Sequence, residues 1–143
     1  MRKIYLYIII GVGLISCDIE FSDNGNIDGF WKLYAVDTLQ TGITGDLREK
    51  GLTWAFEGKI LEVRDLKENN QDIILSFSHK DYSLKVYSPY LVDRENDDIL
   101  LEDIGLLRPY GINQLEESFT IRDLNSDKMI LESYMLRLYF RKY

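Results

Sequence analysis

The chain has 143 residues, 24 of them acidic and 17 basic, for a net charge of −7, and it holds one cysteine and one histidine. That length suits a single domain, and the acidic balance argues against a nucleic-acid partner or attraction to anionic lipid. One thiol leaves no intrachain disulfide, and one imidazole makes a zinc site, built mostly from His and Cys, a poor fit.

Met1-Arg2-Lys3 is a short basic cap, and residues 4–15 form an uncharged apolar run broken only by Gly11 and Gly13. The run is too short for a permanent transmembrane helix, which needs about 20 apolar residues. It also lacks the polar face that a surface helix would show. Basic cap, short apolar core and then small residues is the layout of a secretory signal. The run ends on Leu14-Ile15-Ser16-Cys17, which resembles a bacterial lipobox. That resemblance implies a lipoprotein signal peptide over residues 1–16, cleavage before Cys17 and diacylation of its thiol. It also implies export to the bacterial cell envelope, with the outer membrane as the expected address. The acidic residues just after Cys17 resemble the surface-export signals of some Gram-negative lipoproteins, with a solvated linker as the alternative. Several acyl chains on one residue make a stable anchor, since each buried CH₂ contributes about 0.8 kcal/mol. Losing Arg2 and Lys3 makes the mature chain more acidic still.

Residues 17–27 read as a flexible acidic tether, carrying Asp18, Glu20, Asp23 and Gly25. Asn24-x-Asn26-x-Asp28-Gly29 partly matches a calcium loop, but its twelfth position is Ala35 where a bidentate Glu belongs. From Gly29 onward the apolar residues alternate, the signature of strands with one buried face. Residues 30–36 form the first such strand, and a Gly-bearing loop covers 38–50. Trp54 and Phe56 mark the second, and Leu61 and Val63 the third after a turn at Gly58. Ile73, Leu75 and Phe77 form the fourth, and His79-Lys80-Asp81 turns the chain into Tyr82, Leu84 and Val86. Between residues 89 and 114 the alternation lapses. There Leu100, Ile104 and Leu107 take helical spacing behind Asp97-Asp98, and Pro109 and Gly111 end it, which predicts a short helix or helical turn. Phe119 and Ile121, then residues 128–133 after the turn Asn125-Ser126-Asp127, then Leu136, Leu138 and Phe140 against Arg137, Tyr139 and Arg141, complete eight strands. Eight short strands at regular spacing over residues 28–143 predict a mainly β domain, an antiparallel meander closed as a barrel or stacked as a sandwich.

Gly29-Phe30-Trp31 at the start of the first strand, Trp54-Ala55-Phe56 after it and Leu138-Tyr139-Phe140-Arg141-Lys142 at the end resemble lipocalin-like domains of bacterial lipoproteins. The resemblance implies an eight-stranded up-and-down barrel of the lipocalin (calycin) type, with one short helix or helical lid. It implies that Gly29 and Trp31 close one end, with Arg137 or Arg141 stacked on Trp31 as a cation–π pair. It also implies a small apolar ligand in the barrel. Two departures stand out. The family's Thr-Asp-Tyr-type motif is missing, Lys80-Asp81-Tyr82 falling too early in the strand order. The domain is also shorter than hollow lipocalins, and an eight-stranded barrel is just wide enough either to be filled by its own side chains or to hold one small ligand.

No catalytic set stands out: His79 sits in a turn, and the acidic run Asp93, Glu95, Asp97 and Asp98 reads as a solvated loop. The chain is therefore expected to be non-enzymatic, without cofactor or metal. Trp54, Phe56, Phe77, Tyr82, Phe119 and Phe140 lie on apolar strand faces, where core packing is the default. If a pocket exists, Trp54, Phe56, Leu75, Phe77, Leu84 and Val86 are its wall, entered beside residues 89–114, the longest connection. The alternative is a filled barrel acting as an interaction or accessory subunit in the envelope, with Tyr87, Tyr134, Tyr139 and Tyr143 facing out. Asp37-Thr38-Leu39 resembles the Asp-Thr-apolar acceptor for O-glycosylation on exported bacterial proteins, which makes Thr38 a candidate site. Cys17→Ser is expected to leave the product uncleaved or soluble, without acyl chains on metabolic labelling; acyl label on the variant would rule out the lipobox reading.

Overall fold

A computed structural model describes residues 24–92, 95 and 97–143. The signal segment 1–16, Cys17, the first part of the tether and Asp93 lie outside the described residues. Ten antiparallel strands follow in order: β1 (Gly29–Thr38), β2 (Thr44–Asp46), β3 (Leu52–Glu57), β4 (Ile60–Asp65), β5 (Ile73–Lys80), β6 (Ser83–Leu91), β7 (Ile99–Leu100), β8 (Glu117–Leu124), β9 (Lys128–Glu132) and β10 (Leu136–Lys142). Eight of them form one meander, β1-β3-β4-β5-β6-β8-β9-β10, and β10 returns to pair with β1. The result is a closed eight-stranded barrel, and its strands are the eight that the alternation predicts. The two short extras, β2 beside β1 and β7 beside β6, extend the wall at one end.

Alternation decides which side chains enter the barrel. Trp31 and Leu33, Trp54 and Phe56, Leu61 and Val63, Leu84 and Val86, and Leu138 and Phe140 are all buried at spacing two. Tyr34 is an extra residue in β1, between the pairs Leu33↔Phe140 and Ala35↔Tyr139. This bulge shifts the inward parity, so that Val36, opposite Leu138, is the next β1 side chain packed on the core. One turn differs from the expectation. The β5–β6 ladder continues through Lys80↔Ser83, so the turn is Asp81-Tyr82, with Asp81 at φ +54°. His79 therefore belongs to β5, and Tyr82 is exposed at the turn instead of packed on a strand face.

The closed end is built by chain segments that meet at Trp31. A single 3₁₀ turn, Gly25–Ile27, precedes β1 and buries Ile27 completely. Trp31 donates its indole N–H to the Ile27 carbonyl at 2.8 Å. Residues 24–27 thus belong to the barrel, where the sequence suggests tether. Lys142 lies directly opposite Trp31 in the β1–β10 register, and its ammonium sits 4.6 Å from the Trp31 ring centre. The ammonium also donates to the carbonyls of Asn26 and Asp28, so it ties the last strand to the entry turn. Gly29, at φ +122°, makes the space: a Cβ there would lie 2.5 Å from Lys142 Cε.

Lys142 therefore holds the place expected of Arg137 or Arg141. Strand alternation explains the correction, because Leu138, Phe140 and Lys142 point inward and Arg137 and Arg141 point out. Arg137 forks onto Glu132 at 2.6 Å and 2.9 Å. Arg122 and Arg137 together hold the Glu132 carboxyl below the usual carboxylate range. Arg141 stacks on Tyr34, 5.4 Å from its ring centre. Replacing Lys142 by Ala removes a cation–π contact and two charge-assisted hydrogen bonds, a loss of about 1–3 kcal/mol in urea unfolding. Arg141→Ala, on the outer wall, is expected to change stability by less than about 0.5 kcal/mol. The reverse order would mean that Arg141 closes the barrel.

Candidate functional site

The barrel brings together the six residues named as a pocket wall. Trp54, Phe56, Leu75, Phe77, Leu84 and Val86 are each no more than 5% exposed. They meet side chains, however, where an open wall would meet space. The Trp54 ring contacts Phe140 at 4.9 Å and Phe119 at 5.8 Å between centroids, and Phe56 meets Phe77 edge to face at 5.0 Å. These aromatics fill the bore from the walls inward.

Residues 101–112 enter the bore from the open end and bury side chains in the core. Two 3₁₀ turns, Ile104–Leu106 and Arg108–Tyr110, stand where the helical spacing predicts a short helix. Asp103 starts the first by accepting the Gly105 amide at 2.9 Å, and Pro109 lies in the second. Leu101, Leu107, Tyr110 and Ile112 are buried, whereas Leu100 stands exposed on β7. Trp54 donates its indole N–H to the Tyr110 carbonyl at 3.0 Å, fixing this segment to the barrel wall. Tyr110 then donates its hydroxyl to the Gln71 carbonyl at 2.7 Å. Burial, with Asp72 and Asp65 nearby, pushes that hydroxyl far above the ordinary tyrosine range. Gly111 ends the second turn at φ +88°, against Leu138; a Cβ there would approach Leu138 Cδ2 to 2.7 Å. The segment is a plug seated in the bore.

Beneath the plug lies a buried carboxyl. Glu117 occupies an inward position of β8 and is 4% exposed, accepting the Asn113 amide at 2.8 Å. Burial raises its proton affinity above the ordinary glutamate value, and the Asn113 hydrogen bond opposes this. The Asn113 side-chain nitrogen is buried without a partner. At the mouth, Leu47, Lys50, Leu52, Asp65 and Pro109 line a cleft of about 260 Å³. Asp65 accepts the Lys67 amide and the Asn70 side chain there, both at 2.8 Å.

A family model for the lipocalin-like domain matches residues 12–143. The chain belongs to the lipocalin-like domain family. The lipocalin-like barrel also resembles two solved structures. One is a lipocalin-like protein from Bacteroides uniformis, with TM-score 0.63, 17% identity, and 83% of this chain and 100% of that one covered. The other is an uncharacterized protein from Bacteroides eggerthii, with TM-score 0.60, 15% identity, and 81% and 98% covered. At such identities they show the fold alone. No curated protein matches the chain.

On the outside of this lipocalin-like domain, Thr38 ends β1 at the open rim, half-buried, with its amide bonded to the Ile43 carbonyl. Of the outward tyrosines, Tyr134 and Tyr143 are exposed, Tyr139 donates to Asp37 at 2.7 Å, and Tyr87 lies under Lys85. Sequence reasoning missed Tyr110, Ile112 and Glu117, and it placed Lys142 in the closing motif without its role at Trp31. Continuing the parity of Leu138 and Phe140 by one step reaches Lys142; the plug residues follow no period that would reveal them.

Two outcomes are expected. Gly111→Ala should destabilise the domain by about 1–3 kcal/mol, through the Leu138 contact and a left-handed backbone. A neutral result would mean that the plug shifts freely. Glu117 binds its proton more tightly folded than unfolded, so its contribution is full below the unfolded pKa and is lost as pH rises through the folded one. Glu117→Gln should therefore melt with the parent near pH 4 and above it at pH 7; identical melting curves at both pH values would refute the assignment.

Proposed function

We propose that this lipocalin-like barrel is a lipid-anchored, non-enzymatic protein of the bacterial cell envelope, filled by its own side chains and acting through its outer surface as an interaction or accessory subunit. The observation that carries this reading is the Trp54–Tyr110 hydrogen bond, which seats residues 101–112 where a ligand would lie. The open rim adds support. Leu39, Tyr134 and Met135 surround a recess of about 470 Å³ there, and Ile43 stands exposed on the same hairpin as Leu39. Anchoring rests on Cys17 at the end of the signal core.

The other reading, a small apolar ligand in the barrel, draws on the family fold and on the single wall formed by Trp54, Phe56, Leu75, Phe77, Leu84 and Val86. It requires residues 101–112 to withdraw and break the bond to Trp54. An apolar fluorescent dye titrated into the folded mature chain separates the two. The filled-barrel reading expects no saturable change in Trp54 emission. Saturable quenching that Phe77→Asp weakens in a variant that still folds would overturn it in favour of the ligand.

A further inference from the structure

The two ends of the barrel differ in chemistry, and the anchor joins only one of them. Asn24 donates to the carbonyl of Gly58 at 2.7 Å, in the β3–β4 turn, so the chain leaves the barrel at its closed end. Cys17 lies seven positions before Asn24, a reach of at most about 25 Å even when fully extended. The closed rim carries three exposed apolar or aromatic side chains: Ile60 at 47%, Tyr82 at 77% and Tyr143 at 63%. They come from the start of β4, the β5–β6 turn and the residue after β10, and so are spread around the rim. Tyr143 is braced edge to face by Phe30 at 5.3 Å. Charge on this rim is balanced, with Lys59 near Glu57, Lys80 beside Asp81 and Lys128 beside Asp127.

The open end is different. Its segment 95–103 holds five acidic residues and no basic one. The strands set that end about 20 Å from the closed rim, allowing for tilt. That separation exceeds the Debye length of about 8 Å at physiological salt. Acidic loops placed there avoid an anionic surface, and placed at the membrane they would be repelled by it. Tyrosine, with an apolar ring and a polar tip, favours the headgroup level of a bilayer.

We propose that the closed end docks on the lipid surface, with Tyr82, Tyr143 and Ile60 set into the headgroup layer and the acidic open end turned away. This rests on the anchoring reading and adds a fixed orientation to it: the five acidic residues of segment 95–103 are held away from the lipid, which leaves the three of the tether, Asp18, Glu20 and Asp23, beside it. The membrane then covers one rim and leaves the recess at Leu39, Tyr134 and Met135 free for a partner.

The test uses residues 17–143, coupled through the Cys17 thiol to a maleimide lipid in vesicles of phosphatidylethanolamine and phosphatidylglycerol. A photo-crosslinking phenylalanine replaces Tyr82 in one sample and Tyr134 in another. Position 82 is expected to form lipid adducts at several times the yield of position 134, and Ile60→Ser with Tyr143→Ser should lower that yield in a barrel that melts like its parent. Equal yields at the two ends, a higher yield at 134, or a yield at 82 that ignores the two substitutions would overturn the orientation. Chemical coupling makes the result independent of acylation in cells. Cell-derived protein without acyl chains on Cys17 would count against the anchoring reading alone.

Discussion

The bore of an eight-stranded barrel is about as wide as the side chains that can fill it, and in this chain Trp54 and Tyr110 meet inside it. A buried indole N–H costs free energy unless it finds an acceptor, and the carbonyl that accepts it here, that of Tyr110, belongs to a segment that is not a strand. That single requirement fixes the position of residues 101–112. Leu107 and Ile112 then bury themselves beside Tyr110, and Gly111 turns the chain against Leu138. The aromatic cluster of Trp54, Phe56, Phe77, Phe119 and Phe140 takes the remaining volume. Among the described residues these side chains occupy the bore, which supports the reading that function lies at the outer surface and the rims.

The two rims have separate physical tasks. At the closed one, Trp31, Lys142 and the 3₁₀ turn at Gly25–Ile27 lock the first and last strands to the incoming chain. With no disulfide available, these contacts and the register of β1 with β10 are what hold the barrel shut. At the open one, two short strands, a plug and loops with exposed apolar side chains form a more irregular surface. A chain anchored beside the closed rim presents that irregular surface outward, which is where a binding partner could reach it.

Most of the barrel is legible in the sequence, because period two is a direct record of which side chains face a core. The eight strands and the turn at Gly58 follow from it, whereas the closing place of Gly29 and Trp31 is what the resemblance to lipocalin-like domains implies. The finer site does not. The resemblance implies Arg137 or Arg141 over Trp31, although their own alternation with Leu138 and Phe140 sends them outward. Tyr82 looked like a core residue because a shift of one residue in a turn reverses which face a side chain takes. The plug left only a partial signal, since the spacing of Leu100, Ile104 and Leu107 resembles one helical face, whereas two 3₁₀ turns bury Leu101, Leu107, Tyr110 and Ile112. Glu117 carries no mark in the sequence that sets it apart from the other carboxylates; its burial does.

The central claim is that the bore is permanently occupied, and the Trp54 indole proton reports on it directly. If residues 101–112 are a fixed part of the core, that proton is released to solvent only when the whole barrel unfolds. Native-state hydrogen exchange followed by NMR should then give the Trp54 indole the same opening free energy and denaturant slope as the backbone amides of Leu75 and Val86. Exchange through a cheaper opening that ignores denaturant, while those amides stay protected, would show a plug that leaves the bore on its own and would contradict the filled barrel.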